Sequence, residues 1–258
     1  SLAPRFVLSC SPELWEGAAA LSRERDLLLH THVSESPSEG HEVAAATGTS
    51  AGRWFDHAGV LSPRFVGAHG VWLERDELDS IARADAALVH CPGSNLKLGA
   101  GLAHVRAWRE AGIRCGLGSD GAACNNRLDP FFEMGLAASV SRVRDALRPL
   151  TAREVVSLAT RDGARALGLG GRTGRLAPGF ASDVIGLDPG GAHHGPEPEA
   201  DPWTAIVHAA RGSDVRFTMV AGRVLYRDGA WSTLDPAAVK AEARQERRGL
   251  LRRAELAP

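Results

Sequence analysis

The stretch Leu27-Leu28-Leu29-His30-Thr31-His32-Val33-Ser34-Glu35 carries the reading of the fold. Three consecutive leucines lack the alternation of a half-exposed strand and the spacing of an amphipathic helix. They suit a short strand buried on both faces. The run stops at ionisable residues, and three later runs do the same. Phe65-Val66-Gly67-Ala68 meets His69, and Ala86-Ala87-Leu88-Val89 meets His90. Ile113-Arg114-Cys115-Gly116-Leu117 leads through Gly118-Ser119 to Asp120. The steps from His32 to His69, to His90 and to Asp120 are 37, 21 and 30 residues, each the length of one strand–helix unit.

Helical segments fill the intervals. Ser11-Pro12-Glu13 opens one that runs to about Arg25, with Ser11 as N-cap and Pro12 at the first helical position. Residues 41–57, 74–84 and 101–111 read as further helices, and Asp129-Pro130 opens another that runs to about residue 146. An earlier apolar run, Phe6-Val7-Leu8, reads as one more strand. Strands alternating with helices predict an α/β fold with a parallel sheet or barrel. In such barrels the strand C-termini converge on one mouth.

That convergence gives the four strand ends a chemical meaning. His and Asp are suitable ligands for zinc or iron, and a metal so held makes hydroxide available at neutral pH. Glu35, three residues past His32, is placed to carry protons. A single His at a strand end is more often a hydrogen-bonded structural residue, and a lone Asp before Gly is usually a turn residue. Four such residues in register are harder to assign to chance. His30 and His32 share one strand face and together can chelate a metal. The spacing to Glu35 favours His32 as the ligand and leaves His30 open between supporting the site and simple packing. Lys97 reads as loop decoration. Glu133, early in a helix, reads equally as a helix-start charge or a group behind the site.

Composition narrows the partners. With 30 Lys+Arg against 31 Asp+Glu the net charge is -1, and no basic patch stands out in the first 240 residues. Nucleic acid is therefore not an expected partner. No apolar run approaches the roughly 20 residues of a membrane span. The N-terminus lacks a charged segment followed by an apolar core, so no signal peptide is expected. None of the four cysteines forms a Cys-x-x-Cys pair, and a reducing cytoplasm is the expected location. The chain does not begin with Met and enters an apolar stretch at once, which reads as the middle of a domain.

Composition shifts near residue 170, where a glycine-rich segment begins. Val184-Ile185-Gly186-Leu187 is strand-like, and Phe217–Tyr226 looks like a hairpin turning at Ala221-Gly222. Residues 188–203 read as a loop that exposes His193-His194, and 236–253 as a charged helix with a solvated arginine face. This divides the chain into domains 1–169 and 170–258.

Read together, these residues resemble the amidohydrolase superfamily. Within it the resemblance is to S-adenosylhomocysteine/5′-methylthioadenosine deaminases, guanine-type deaminases and triazine chlorohydrolases. The matching segments are His30–Glu35, Ala68–Leu73, His90–Leu98, Gly116–Asn126 and Gly174–Asp183. The resemblance implies a (β/α)8 TIM-type barrel, of which 1–169 would hold about strands 4–8, with Phe6 in the fourth. It implies part of a small β-sandwich and a C-terminal helix in 170–258. It assigns His32 and Asp120 to one divalent metal, zinc or iron. Glu35 becomes the proton shuttle and Asp120 the acceptor of the attacking water's proton. His69 binds the metal, its water or the substrate. His90 and Asn95, with Cys124 and His30, fall on the substrate side. The family often has Ser at the Cys124 position. Its first-strand His-x-His pair has no counterpart upstream of Leu27, so the chain looks like the C-terminal part of a longer protein.

The expected function is hydrolytic deamination of an aminated purine or nucleoside-type heterocycle. Triazine dechlorination or aminohydrolysis is the alternative, and a truncated non-catalytic fragment is the alternative of another class. The full-length form is expected to be a homo-oligomer acting on a small heterocycle.

Overall fold

The computed structural model describes residues 1–194 and 201–256. They form two compact units. One comprises Ser1–Phe180 and Pro189–Gly212, the other Ala181–Asp188 and Ser213–Pro258.

The first unit is an α/β layer structure around a parallel sheet. Its strands are β1 (Leu29–Val33), β2 (Phe65–His69), β3 (Ala87–His90) and β4 (Arg114–Leu117), adjacent in chain order. The helices are α1 (Pro12–Arg25), α2 (Pro37–Thr47), α3 (Ala51–His57), α4 (Arg75–Arg83), α5 (Pro92–Lys97), α6 (Val105–Glu110), α7 (Ala122–Asn125), α8 (Pro130–Arg144), α9 (Ala152–Ala159), α10 (Arg161–Ala166) and α11 (Pro202–His208). The register aligns the strand C-termini, with Val33 opposite His69 and His90 opposite Leu117. The strand ends therefore lie level with one another and share one rim. The leucine run is a correction: only Leu29 of it joins the sheet, opposite Phe65, and β1 runs on through His30–Val33.

Several elements begin where the sequence announces them. Ser11 caps α1 by accepting from the Leu14 amide, and Asp129 caps α8 by accepting from Phe131. The expected helix over 41–57 is two helices. Gly48, with φ of 75°, ends α2, and α3 starts at Ala51. The helix expected over 101–111 is confined to Val105–Glu110. Aromatic rings pack beside β2, where Trp15 meets Phe55 edge-on at 5.0 Å and Phe55 lies 5.2 Å from Phe65.

The Phe6-Val7-Leu8 strand is a correction. Val7–Ser9 is a 3-10 turn, because the Ser9 hydroxyl donates to the Phe6 carbonyl and accepts from the Phe6 amide. A side chain that binds nearby backbone competes with a sheet ladder. The contact beside β1 is made earlier. Leu2 bridges Leu29 in parallel, and the His32 amide donates to Arg5 O at 2.8 Å. The sheet thus has four strands and a single bridge in place of the expected five.

The α9 start gives a pH prediction. Burial opposes ionisation of Glu154, but bonds from Arg106, at 2.9 Å to each carboxylate oxygen, and from Thr151 outweigh it. Together they hold the carboxyl down at about 2. Ionised Glu154 therefore stabilises the fold fully above its ordinary value of 4.5, and that contribution is lost as pH falls from there toward 2. Glu154→Gln is expected to flatten the loss of thermal stability across that window. Equal pH slopes for both proteins would contradict it.

In the second unit, β5 (Val184–Leu187), β6 (Val215–Val220), β7 (Arg223–Arg227) and β8 (Ala230–Trp231) form an antiparallel sheet in that order. Ala221 and Gly222 turn the β6–β7 hairpin with φ of 49° and 79°, the paired positive values of a tight hairpin turn. The charged helix α12 (Pro236–Arg253) buries none of its residues. In the expected 188–203 loop, Ala192–His194 is a short 3-10 turn with His193 exposed, and residues 195–200 lie outside the described residues.

Candidate metal centre

At the shared rim, His32, His69 and Asp120 each offer one ligand atom, and these atoms lie within 4.8 Å of one another. His32 comes from β1, His69 from the end of β2, and Asp120 from the turn after β4. Their rings and carboxylate meet although the first and the last are 88 positions apart in the chain. The His32 and His69 rings stack with centroids 5.1 Å apart. His30, on the same face of β1, is exposed and neighbours His32, His69 and Asp120.

The backbone makes sharp exits here. Ser34, His69 and Asp120 have φ of 48°, 74° and 62°. Left-handed conformations at non-glycine residues cost free energy and cluster where side chains are aimed for function.

Hydrogen bonds set the state of each group. His32 Nδ1 donates to the Arg5 carbonyl at 2.8 Å, and His69 Nδ1 donates to Asn95 Oδ1 at 2.8 Å. Each imidazole is thereby held as the tautomer whose Nε2 carries a lone pair. His69 is 1% exposed, and its Nε2 is buried with no protein hydrogen-bond partner. It lies 3.9 Å from Glu35 Oε1. Asp120 Oδ2 accepts from Ser94 Oγ and Oδ1 from the Gly121 amide, both at 2.7 Å. Burial opposes ionisation of Asp120. The Ser94 and Gly121 bonds, with His69 and Cys124, outweigh it and keep the carboxyl below its ordinary range. An orphaned imidazole nitrogen beside a second imidazole and an ionised carboxylate suits a divalent cation.

Glu35 is aimed by a neighbour that the sequence reading passed over. The Glu39 carboxylate accepts from the Ser34 and Glu35 amides at 3.2 and 2.8 Å, while Ser36 Oγ accepts from the Glu39 amide. The signal was there: Ser36-Pro37-Ser38-Glu39 has capping-box spacing. A cavity of about 180 Å³, lined by Arg5, Phe6, His32, Glu35 and Glu39 among others, opens beside these groups.

The remaining expected residues divide. Burial, then His69, pushes His90 down to about 3, so it is neutral. Both its ring nitrogens lack protein partners, and its ring stands edge-on to Trp108 at 6.1 Å. Asn95 directs Oδ1 at His69 and keeps a buried, unpartnered Nδ2. Cys124 hydrogen-bonds Asp120, and burial and that carboxylate raise its pKa, so it is a neutral thiol. Lys97 is tied to Ala123 O at 2.7 Å and to the Asn126 side chain. Ser94 and the Arg5 carbonyl carried no recognisable signal, since their partners lie 26 and 27 residues away.

Parallel α/β sheets with ionisable groups along the carboxyl rim are characteristic of enzymes that build their sites from strand-end loops. The chain belongs to the amidohydrolase family, whose signature matches residues 1–225. It is 39% identical over 236 residues to a 5'-deoxyadenosine deaminase of Methanothermobacter thermautotrophicus, covering 91% of this chain and 54% of that one. It is 40% identical over 250 residues to a 5-methylthioadenosine/S-adenosylhomocysteine deaminase of Nitratidesulfovibrio vulgaris, covering 96% and 56%. Among solved structures, a zinc-bound adenosine deaminase from Xanthomonas campestris superposes with a TM-score of 0.90 at 30% identity, over 95% of this chain and 56% of that one. An atrazine chlorohydrolase from Arthrobacter aurescens, complexed with zinc, gives 0.87 at 30% identity over 95% and 54%. The chain thus spans about half the length of the relatives it matches.

Proposed function

We propose that this chain carries the proton-handling part of the active site of a metal-dependent hydrolytic deaminase acting on an aminated purine or nucleoside-type heterocycle. The observation that carries the reading is the buried, partnerless His69 Nε2 within ligand distance of His32 and Asp120. His32, His69 and Asp120 would hold the ion, with zinc favoured by the imidazole and carboxylate donors. A divalent metal there supplies Lewis acidity that lowers the pKa of a water molecule. Asp120, kept ionised by Ser94 and Gly121, accepts a proton from the attacking water. Protonated Glu35 delivers a proton to the ring nitrogen of the substrate. The proton taken up by Asp120 passes to the amino group, which leaves as ammonia while the hydroxyl on the attacked carbon returns its proton to Glu35 and becomes the carbonyl. His69, fixed by Asn95, keeps a lone pair turned toward the site. His90, Cys124 and His30 line the substrate side, with His90 offering a neutral imidazole.

The reading extends to the architecture. The four parallel strands are part of a (β/α)8 barrel, and the antiparallel unit is part of a small β-sandwich. The family's first-strand His-x-His has no counterpart in these residues, so assays belong to the full-length protein. There, an ammonia-release screen against adenosine derivatives, guanine, pterins and triazines is expected to find turnover with an adenosine-type substrate. Chloride release from a chlorotriazine without ammonia release from any purine would replace deamination with dechlorination. No turnover and no bound metal would overturn the reading.

A further inference from the structure

Behind the rim lies a carboxylate that the chemistry above does not use. Glu133, on α8, is 1% exposed and meets no Lys or Arg side chain among the described residues. Its Oε2 accepts from the Gly93 amide at 2.9 Å, and its Oε1 accepts from Asn125 Nδ2 at 2.6 Å. Burial raises its pKa against these bonds. An isolated buried carboxylate is costly to keep unless its acceptors are well satisfied.

Each partner leads to a site residue. Gly93 precedes Ser94, whose hydroxyl binds Asp120, and Asn95, whose amide oxygen binds His69. Asn125 Nδ2 also donates to the Ser119 carbonyl at 2.8 Å, immediately before Asp120. One arm therefore holds α5, and the other holds the turn that presents Asp120. The fit is close: a Cβ on Gly93 would come within 2.4 Å of Glu133 Oε1 and 2.6 Å of Asn125 Nδ2. The α8 carboxylate, α5 and the Asp120 turn are thus locked into one arrangement.

We propose that Glu133 is a positioning residue that fixes Asp120 and His69 relative to each other by bridging the Gly93 amide and the Asn125 side chain. The proposal deepens the metal-site reading and rests on it for its consequence, though not for its geometry. The chemistry demands a carboxylate, because both oxygens must accept. A glutamine always presents its NH2 to one of two donors, Gly93 N–H or Asn125 Nδ2–H, and must lose one arm. An aspartate keeps both acceptor oxygens but, one methylene shorter, draws them back toward α8 and away from the two donors.

The test uses the full-length protein with Glu133→Gln, Asn125→Ala and the double variant. In the metal-free protein, hydrogen exchange is expected to quicken in two segments together, 93–95 and 119–125, with the rest of the chain unchanged. Zinc affinity should fall about 10–100-fold, as for other partners that orient ligands. The double variant should be no worse than Asn125→Ala alone, since a glutamine with no Asn125 opposite it can still accept from the Gly93 amide. Unchanged zinc affinity, additive losses, or exchange quickened across the whole chain with a lowered Tm would overturn the proposal. Wild-type protein that binds no zinc would overturn the hydrolase reading, while exchange in the metal-free proteins still decides the role of Glu133.

Discussion

Replacing Asp120 with alanine in the full-length protein is expected to abolish turnover, with kcat falling on the order of 10⁴-fold, and to lower bound metal. The size follows from the two roles proposed for this one carboxylate. Asp120 supplies a ligand atom within 4.8 Å of those of His32 and His69. It is also held ionised by Ser94 and the Gly121 amide against its own burial, the state needed to accept a proton. Asp120→Asn separates the roles. It keeps an oxygen that can bind but no carboxylate base, so metal should be retained better than in the alanine variant while turnover remains lost. The checks are metal content by elemental analysis and ammonia release on the same samples. Retained activity in Asp120→Ala would remove Asp120 from the site.

Glu35→Gln is expected to reduce kcat about 10²–10⁴-fold, the ordinary range for one positioned acid–base group, with metal content unchanged. The two variants differ because Glu35 stands apart from the ligand cluster, 3.9 Å from His69 Nε2, and is aimed by Glu39 through backbone bonds. The amide keeps the shape and loses the proton. Substrate binding should survive, so the loss should fall on kcat more than on KM. Loss of metal together with activity would instead make Glu35 a ligand.

The rim was legible in the sequence because its logic is local. An apolar run that stops at His69 or His90 marks where a strand buried on both faces emerges, and Gly118-Ser119-Asp120 marks a further exit; His32 instead lies within β1, whose residues alternate between buried and accessible. Parallel pairing then fixes that these exits lie side by side. The capped starts of α1 and α8 were legible for the same reason: a cap and its amide are neighbours in the chain.

Other features depended on contacts that local pattern does not encode. Phe6-Val7-Leu8 is as apolar as a strand, yet Ser9 closes it into a turn and Leu2 takes the bridge beside β1. Lys97 read as loop decoration and Asn95 as a substrate-side residue. Folding joins the first to α7 and the second to His69. Glu133 was readable equally as a helix-start charge, since its partners Gly93 and Asn125 come from α5 and α7.

The sequence by itself determined the parallel α/β fold, the strand exits and the residue types that stand at them. Periodicity and caps act over a few residues and survive in a one-dimensional string. Only the tertiary structure decided which nitrogen of each imidazole is free, why Asp120 stays ionised and what holds the rim rigid. Those depend on hydrogen bonds between residues 26–40 positions apart, such as Ser94 to Asp120 and Gly93 to Glu133, whose geometry exists only once the sheet and helices are packed.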